Sequence, residues 1–244
     1  MGQRMGKRQG VELMLTIKWI GQSGYILSDG KTEICIDPYL SDAVNRVAGR
    51  ARMVPAPFFP DELTSDAVIC THNHLDHVDI DAIPVMKKGT MLFLAPQDAK
   101  SQLLECGVLH YQAFDEGTTA KIGDFKLQAV FANHSVPAIG VIIRHSGITM
   151  YFSGDTEYHE RLEALASENI DIMCICINGK LGNMNVSEAV RLTEVIKPKV
   201  GIPTHYGMFA SNTENPESYT EQIPCGFIME YNKEYDVEEV LGHV

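Results

Sequence analysis

The sequence predicts an α+β protein of layered sheets and helices. Three observations carry that expectation: short β-type runs from Leu15 onward, two tight hairpin turns, and helical patterns threaded between groups of strands. The runs are LTIKWI, GYILS, TEICID, AVIC, MLFLA, FKLQAVFA, GVIIRH, ITMYFS, IDIMCICI and KVGIP, rich in Val, Ile, Phe and Tyr and bounded by Gly, Asp, Asn and Pro. SDGK (28–31) and HSGI (145–148) supply turn residues between runs that can pair as antiparallel hairpins. Helices are expected at QDAKSQLLECG (97–107), YHERLEALASE (158–168), SEAVRLTEVI (187–196) and NPESYTEQI (215–223). In the third, Ala189, Leu192, Val195 and Ile196 share one face, Ser187 is the expected N-cap, and Pro198 follows the end. Hairpins combined with interspersed helices argue against an all-parallel sheet, and no linker divides residues 14–244 into separate domains.

Charge narrows the function classes. The chain has 20 basic and 32 acidic residues, a net charge of -12. Arg4, Lys7 and Arg8 sit in a basic start, MGQRMGKRQG, that has no apolar segment after it to make a secretory signal. Residues 1–13 are expected to be a disordered extension ahead of Met14. The acidic remainder repels phosphate backbones and offers no basic stripe, which disfavours nucleic acid as a partner. No apolar run reaches the roughly 18 to 20 residues that a membrane span needs. Cysteines 35, 70, 106, 174, 176 and 225 contain no CxxC pair, and most lie inside strand-like runs. They read as small buried hydrophobes in a reducing, cytoplasmic setting.

The chemistry is concentrated in Thr71–His77, THNHLDH, which leaves the end of the AVIC run. In an extended segment alternate side chains point the same way, so His72 and His74 can grip one ion. A helical turn near Asp76 would aim Asp76 and His77 at a second ion, which makes the loop half of a binuclear site. Two ions need further ligands from other strand ends. FANHS offers His134, YFSGDT offers Asp155 and GIPTHYG offers His205. His110 and His145 belong to strand-like runs, and His159 reads as an exposed residue at a helix start. GQSG (21–24) lacks the last glycine of a GxSxG elbow, so Ser23 reads as a turn residue.

The ordered set of THNHLDH, His134, SGDT (153–156) and His205 resembles the metallo-β-lactamase superfamily. That resemblance implies a four-layer αββα sandwich with a two-metal cleft at one sheet edge. It also implies a first ion held by His72, His74 and His134, a second held by Asp76, His77 and His205, and Asp155 bridging them. IDPYL (36–40), CINGKLGNMNVSEA (176–189) and IPTHYGMFASNTENP (202–216) are similar to the L-ascorbate-6-phosphate lactonase branch. Lactonases of that branch carry a longer, Arg-containing loop where this chain has the short INGKLGNM, with Lys180 as its only cation.

The expected function is therefore metal-dependent hydrolysis. A hydroxide generated at two divalent ions attacks a lactone or ester of a small sugar-acid metabolite, with or without a phosphate, and Asp76 carries the proton. Imidazole and carboxylate ligands admit zinc, manganese or iron. Asn178, Lys180, Asn183 and Tyr206 are the candidate substrate contacts. The competing expectations are a small-molecule phosphodiesterase or nuclease, and a non-hydrolytic metal protein. Members of the family the chain resembles often self-associate, which makes a homo-oligomer one expectation, although no stripe in the sequence marks an interface.

Overall fold

The computed structural model describes residues Met14–His243, so the 1–13 extension lies outside the described residues. The first six strands are β1 (Thr16–Gly21), β2 (Gly24–Ser28), β3 (Glu33–Ile36), β4 (Ala67–Ile69), β5 (Leu92–Ala95) and β6 (His110–Ala113). The next six are β7 (Thr119–Ile122), β8 (Phe125–Phe131), β9 (Ile139–His145), β10 (Ile148–Phe152), β11 (Ile172–Cys176) and β12 (Val200–Thr204). A late strand, β13 (Glu234–Asp236), returns to pair with β1. The result is two mixed sheets, ordered β13-β1-β2-β3-β4-β5-β6 and β12-β11-β10-β9-β8-β7. All ten runs read from the sequence contain a strand, and both expected turns join antiparallel pairs, β2–β3 and β9–β10.

Alternation along each strand sorts side chains between the layers. In β3, Ile34 and Ile36 face the core shared by the two sheets, whereas Cys35 belongs to a second apolar cluster with Val68, Phe93, Ile83 and Leu103 on the outer face. Tyr25 and Phe152 meet across the inter-sheet core with ring centroids 5.1 Å apart. All six cysteines are free thiols, and burial pushes Cys176 up to about 11, leaving it protonated and unreactive.

The helices are α1 (Ala43–Ala48), α2 (Lys100–Glu105), α3 (Val186–Ile196), α4 (Glu217–Thr220) and α5 (Val237–Leu241). The start of α3 differs from the expectation. Asn185, not Ser187, is the N-cap: its side chain accepts from the Glu188 amide at 3.0 Å, and Glu188 accepts from the Asn185 amide at 3.0 Å. This reciprocal box satisfies two otherwise orphaned donors and leaves Ser187 inside the first turn. Glu160–Glu168 is helical but of the 3₁₀ type, and its buried Leu162 and Leu165 stand three residues apart, matching the threefold repeat. Among the described residues no helix is long and apolar enough to cross a membrane.

Strand direction places the site. β3, β4 and β5 run parallel, as do β10, β11 and β12, so their C-terminal ends collect at one edge of the sandwich. Asp37 follows β3, Thr71–His77 follows β4, Asp155 follows β10 and His205 follows β12. The β1–β2 turn brings Gln22 and Ser23 to the same edge.

Candidate metal centre

Thr71–His77 is a tight loop rather than the start of a helix. Its only helical feature is the His74 carbonyl, which accepts from the amides of His77 at 3.0 Å and Val78 at 2.7 Å. That single turn separates the two pairs of ligand-type side chains. His72 Nε2 lies 2.9 Å from His74 Nδ1, and His134 Nε2 lies 3.2 Å from the same atom. Asp76, His77 and His205 form a second group of ligand-type atoms within 4.8 Å of one another, as do His72, His77 and Asp155. Asp155 Oδ1 is 3.3 Å from His77 Nε2 and 3.1 Å from His205 Nε2.

Surrounding groups fix which atoms point inward. The Gly182 carbonyl, 2.9 Å from His134 Nδ1, can only accept, so Nδ1 carries the proton and Nε2 presents its lone pair to the cluster. A side chain at Gly182 would bring its Cβ within 2.7 Å of His134 Nδ1, which is why glycine stands there. Asp37 Oδ2 sits 2.8 Å from His77 Nδ1 and turns Nε2 inward in the same way. Asp37 is itself held, accepting from the Thr71 amide and hydroxyl, each at 2.7 Å. Gln22 donates from Nε2 to Asp76 Oδ2 at 2.8 Å, and Ser23 donates to Asp155 Oδ1 at 3.5 Å. Gln22, Asp37 and His205 all hold positive φ, a concentration of backbone strain of the kind functional sites sustain.

Electrostatics divides the cluster. Burial, reinforced by His77, drives His72 well below the ordinary histidine range, and burial with His134 lowers His74. These are neutral imidazoles with lone pairs available. For His77 burial opposes the proton, yet Asp37, Asp155 and Asp76 outweigh it and hold the group well above the ordinary value. Asp155 similarly raises His205 against the effect of burial. Burial works against charge on Asp155 too, but His205 and His77 keep it well below the carboxylate range. The His77 Nε2 atom is buried without a well-aligned hydrogen bond, its near neighbour being Asp155 Oδ1 at 3.3 Å. Converging lone pairs, a poorly partnered ring nitrogen and paired carboxylates fit divalent cations, which would replace the protons that now balance the carboxylates.

The seven ligand candidates named from the sequence are thus brought together; the four candidate substrate contacts are not. Tyr206 packs into the inter-sheet core, its ring 4.8 Å from Trp19. Asn178 is buried and donates to Asn212 Oδ1 at 2.7 Å, which makes it a brace behind the cleft wall. Asn183 is buried, and Lys180 is exposed with Nζ 3.4 Å from the Ser211 carbonyl. The cleft over the cluster, about 450 Å³, is lined instead by Val44, Arg50, Ser135, Leu181, Phe209 and Asn212 beside His74, Asp76, Asp155 and His205. His159 caps the 3₁₀ segment by accepting from the Arg161 amide, away from the site.

Two packed mixed sheets flanked by helices, with a His/Asp cluster able to bind metal at their shared edge, define the metallo-β-lactamase fold. The chain belongs to the family described as the beta-lactamase superfamily domain, which matches residues 32–206. It is 27% identical over 242 residues to a UPF0173 metal-dependent hydrolase of Archaeoglobus fulgidus, covering 93% of this chain and 95% of the relative. Among solved structures it is similar to Igni18, a metallo hydrolase of Ignicoccus hospitalis (TM-score 0.73, 20% identity, 91% of this chain and 97% of that one). An isothiocyanate hydrolase from Delia radicum gut bacteria shares the fold at TM-score 0.75 and 18% identity, covering 90% and 98% of the two chains.

Proposed function

We propose that the chain is a metal-dependent hydrolase with a binuclear centre, acting on a lactone or ester of a small sugar-acid metabolite such as L-ascorbate 6-phosphate. The observation that carries this reading is the convergence of two ligand groups, His72/His74/His134 and Asp76/His77/His205, beside one buried carboxylate, Asp155, on the floor of a cleft of small-molecule size. The names of the curated relatives support the hydrolase class, and the lactonase-like segments of the sequence support the ester bond.

When bound there, divalent ions supply Lewis acidity that brings hydroxide within reach at neutral pH and polarises a carbonyl. This chain's own groups handle the proton. Asp76 is the ligand-type carboxylate most open to the cleft, its side chain 17% exposed against 7% for Asp155. Gln22 holds its Oδ2, which orients the carboxylate to take a proton from the attacking water and return it to the leaving oxygen. Leu75, Val44 and Phe209 exclude bulk water from one wall. Zinc and manganese both suit the ligand set, and iron is compatible with it.

The test is the loss of L-ascorbate 6-phosphate ultraviolet absorbance with manganese-reconstituted protein, against an Asp76→Ala control prepared identically. Turnover in the native protein alone supports the lactonase reading. Absence of turnover with metal bound would reject that substrate. Hydrolysis of bis(p-nitrophenyl) phosphate instead would favour a small phosphodiester, since paired ions serve in-line phosphoryl displacement as well.

A further inference from the structure

We propose that Arg50 is the anion anchor of the cleft, so that the substrate carries a carboxylate or phosphate group apart from the bond that is broken. The inference rests on the hydrolase reading for the word substrate, and on independent geometry for the anchor.

Three arginines lie close together in the chain, and two of them are committed. Arg46 grips Asp81 with both arms of its fork, Nε to Oδ2 at 2.8 Å and Nη2 to Oδ1 at 2.7 Å. Arg52 donates from Nη1 to the carbonyls of Tyr39 at 2.8 Å and Ser41 at 3.1 Å, with its guanidinium 4.6 Å over the Tyr39 ring. Arg50 is exposed, makes no side-chain hydrogen bond or ion pair among the described residues, and lines the cleft over the His/Asp cluster. In a chain with 32 acidic and 20 basic residues, a guanidinium with no carboxylate partner is conspicuous. Among the described residues it is also the only lysine or arginine lining that cleft.

Its backbone is fixed although its side chain is free. On one side Gly49, at φ +67, ends α1 and its amide donates to the Asn45 carbonyl. On the other, Arg52 pairs with Phe209, and the Met53 amide donates to the Met208 carbonyl at 2.8 Å. The segment bearing Arg50 is therefore pinned to the segment that follows His205, and the guanidinium hangs from a fixed point at the cleft edge. A planar fork so placed suits bidentate capture of an oxyanion. In the same lining, Leu181 is 56% exposed and held at φ +57, a left-handed conformation that a leucine rarely adopts. An exposed, strained apolar side chain at the same mouth fits contact with the compact body between the anion and the scissile carbonyl.

The test compares native protein with Arg50→Met and Arg50→Lys, all zinc-loaded. The first readout is the ratio of kcat/KM for mono-p-nitrophenyl glutarate to that for p-nitrophenyl butyrate. Arg50→Met should lower this ratio about 10- to 100-fold, as expected for loss of a charge-assisted pair, and Arg50→Lys should restore part of it. The second readout needs no turnover: the calorimetric preference for glutarate over its monoamide should collapse in Arg50→Met. If neither ester is cleaved but that preference depends on Arg50, the anchor stands and the ester reading of the substrate falls. An unchanged preference and an unchanged ratio in Arg50→Met would overturn the anchor.

Discussion

The two halves of the His/Asp cluster solve different electrostatic problems. His77, His205 and Asp155 are almost wholly buried and balance one another: protons on the imidazoles meet carboxylates of Asp155, Asp76 and Asp37. His72, His74 and His134 bring three ring nitrogens together with no such balance, two of them are half-exposed, and burial keeps His72 and His74 neutral. The inner half is thus held in place before a cation arrives, by Asp37, Gln22 and Ser23. The outer half is a claw of converging ring nitrogens that a cation completes. The contrast teaches that one side of the centre is built into the fold, whereas the other depends on the ion for its cohesion.

The largest effect is expected on removing Asp155, whose carboxylate lies within 4.8 Å of ligand atoms of both His72 and His77. Asp155→Ala should cut hydrolytic activity by at least about 10²-fold and lower zinc content measured by elemental analysis. Full loading with full activity would refute the binuclear account.

A milder change separates the halves. Asp37→Asn leaves every ligand candidate in place but exchanges the charged acceptor behind His77 for a neutral amide, and should weaken binding of one equivalent of zinc about 10- to 100-fold in a chelator competition. The other equivalent, at the outer group, should bind as before. Because the change also strips a buried ion-pair partner, metal-free protein should lose about 3–5 kcal/mol in urea titration.

Acidity sharpens the contrast further. His77 and His205 have raised values in the metal-free fold, so their pairing contributes stability that is present below the ordinary histidine range and is lost as pH rises through those raised values. Asp155, held low, contributes stability above the ordinary carboxylate range and loses it on strong acidification. A cation displaces the imidazole protons, so the rise in Tm on adding zinc should be greater near about pH 8 than near about pH 6. An equal rise at both values would mean that the inner half is not proton-balanced.

The smallest effect is expected outside the cluster. Asn185→Ala removes the α3 cap and should cost about 1 kcal/mol of stability in urea titration, with zinc content unchanged.

Legibility in the sequence followed the same division. The ligand candidates were readable because His72, His74, Asp76 and His77 are neighbours in the chain and the others end apolar runs. Most strands were readable because β-branched runs sit between turn residues. The edge strands β6 and β7 and the three-residue β13 were not, since HYQA, TAKI and EYD are short and partly polar and gain their conformation from a neighbouring strand. Gln22 and Arg50 carried no local signal at all. One reaches Asp76 across 54 residues through the β1–β2 turn, and the other joins the cleft through pairing with the segment around Phe209. Tyr206 and Asn178 were misplaced for the converse reason: their position next to ligands and turns in the chain says nothing about which face of the loop they occupy, and both point inward.

Anomalous diffraction from a crystal of zinc-loaded protein would locate the ions in the cluster directly. Two peaks are expected, one among His72, His74 and His134 and one among Asp76, His77 and His205, with Asp155 in contact with both. A single peak, or two peaks that Asp155 does not join, would contradict the binuclear reading.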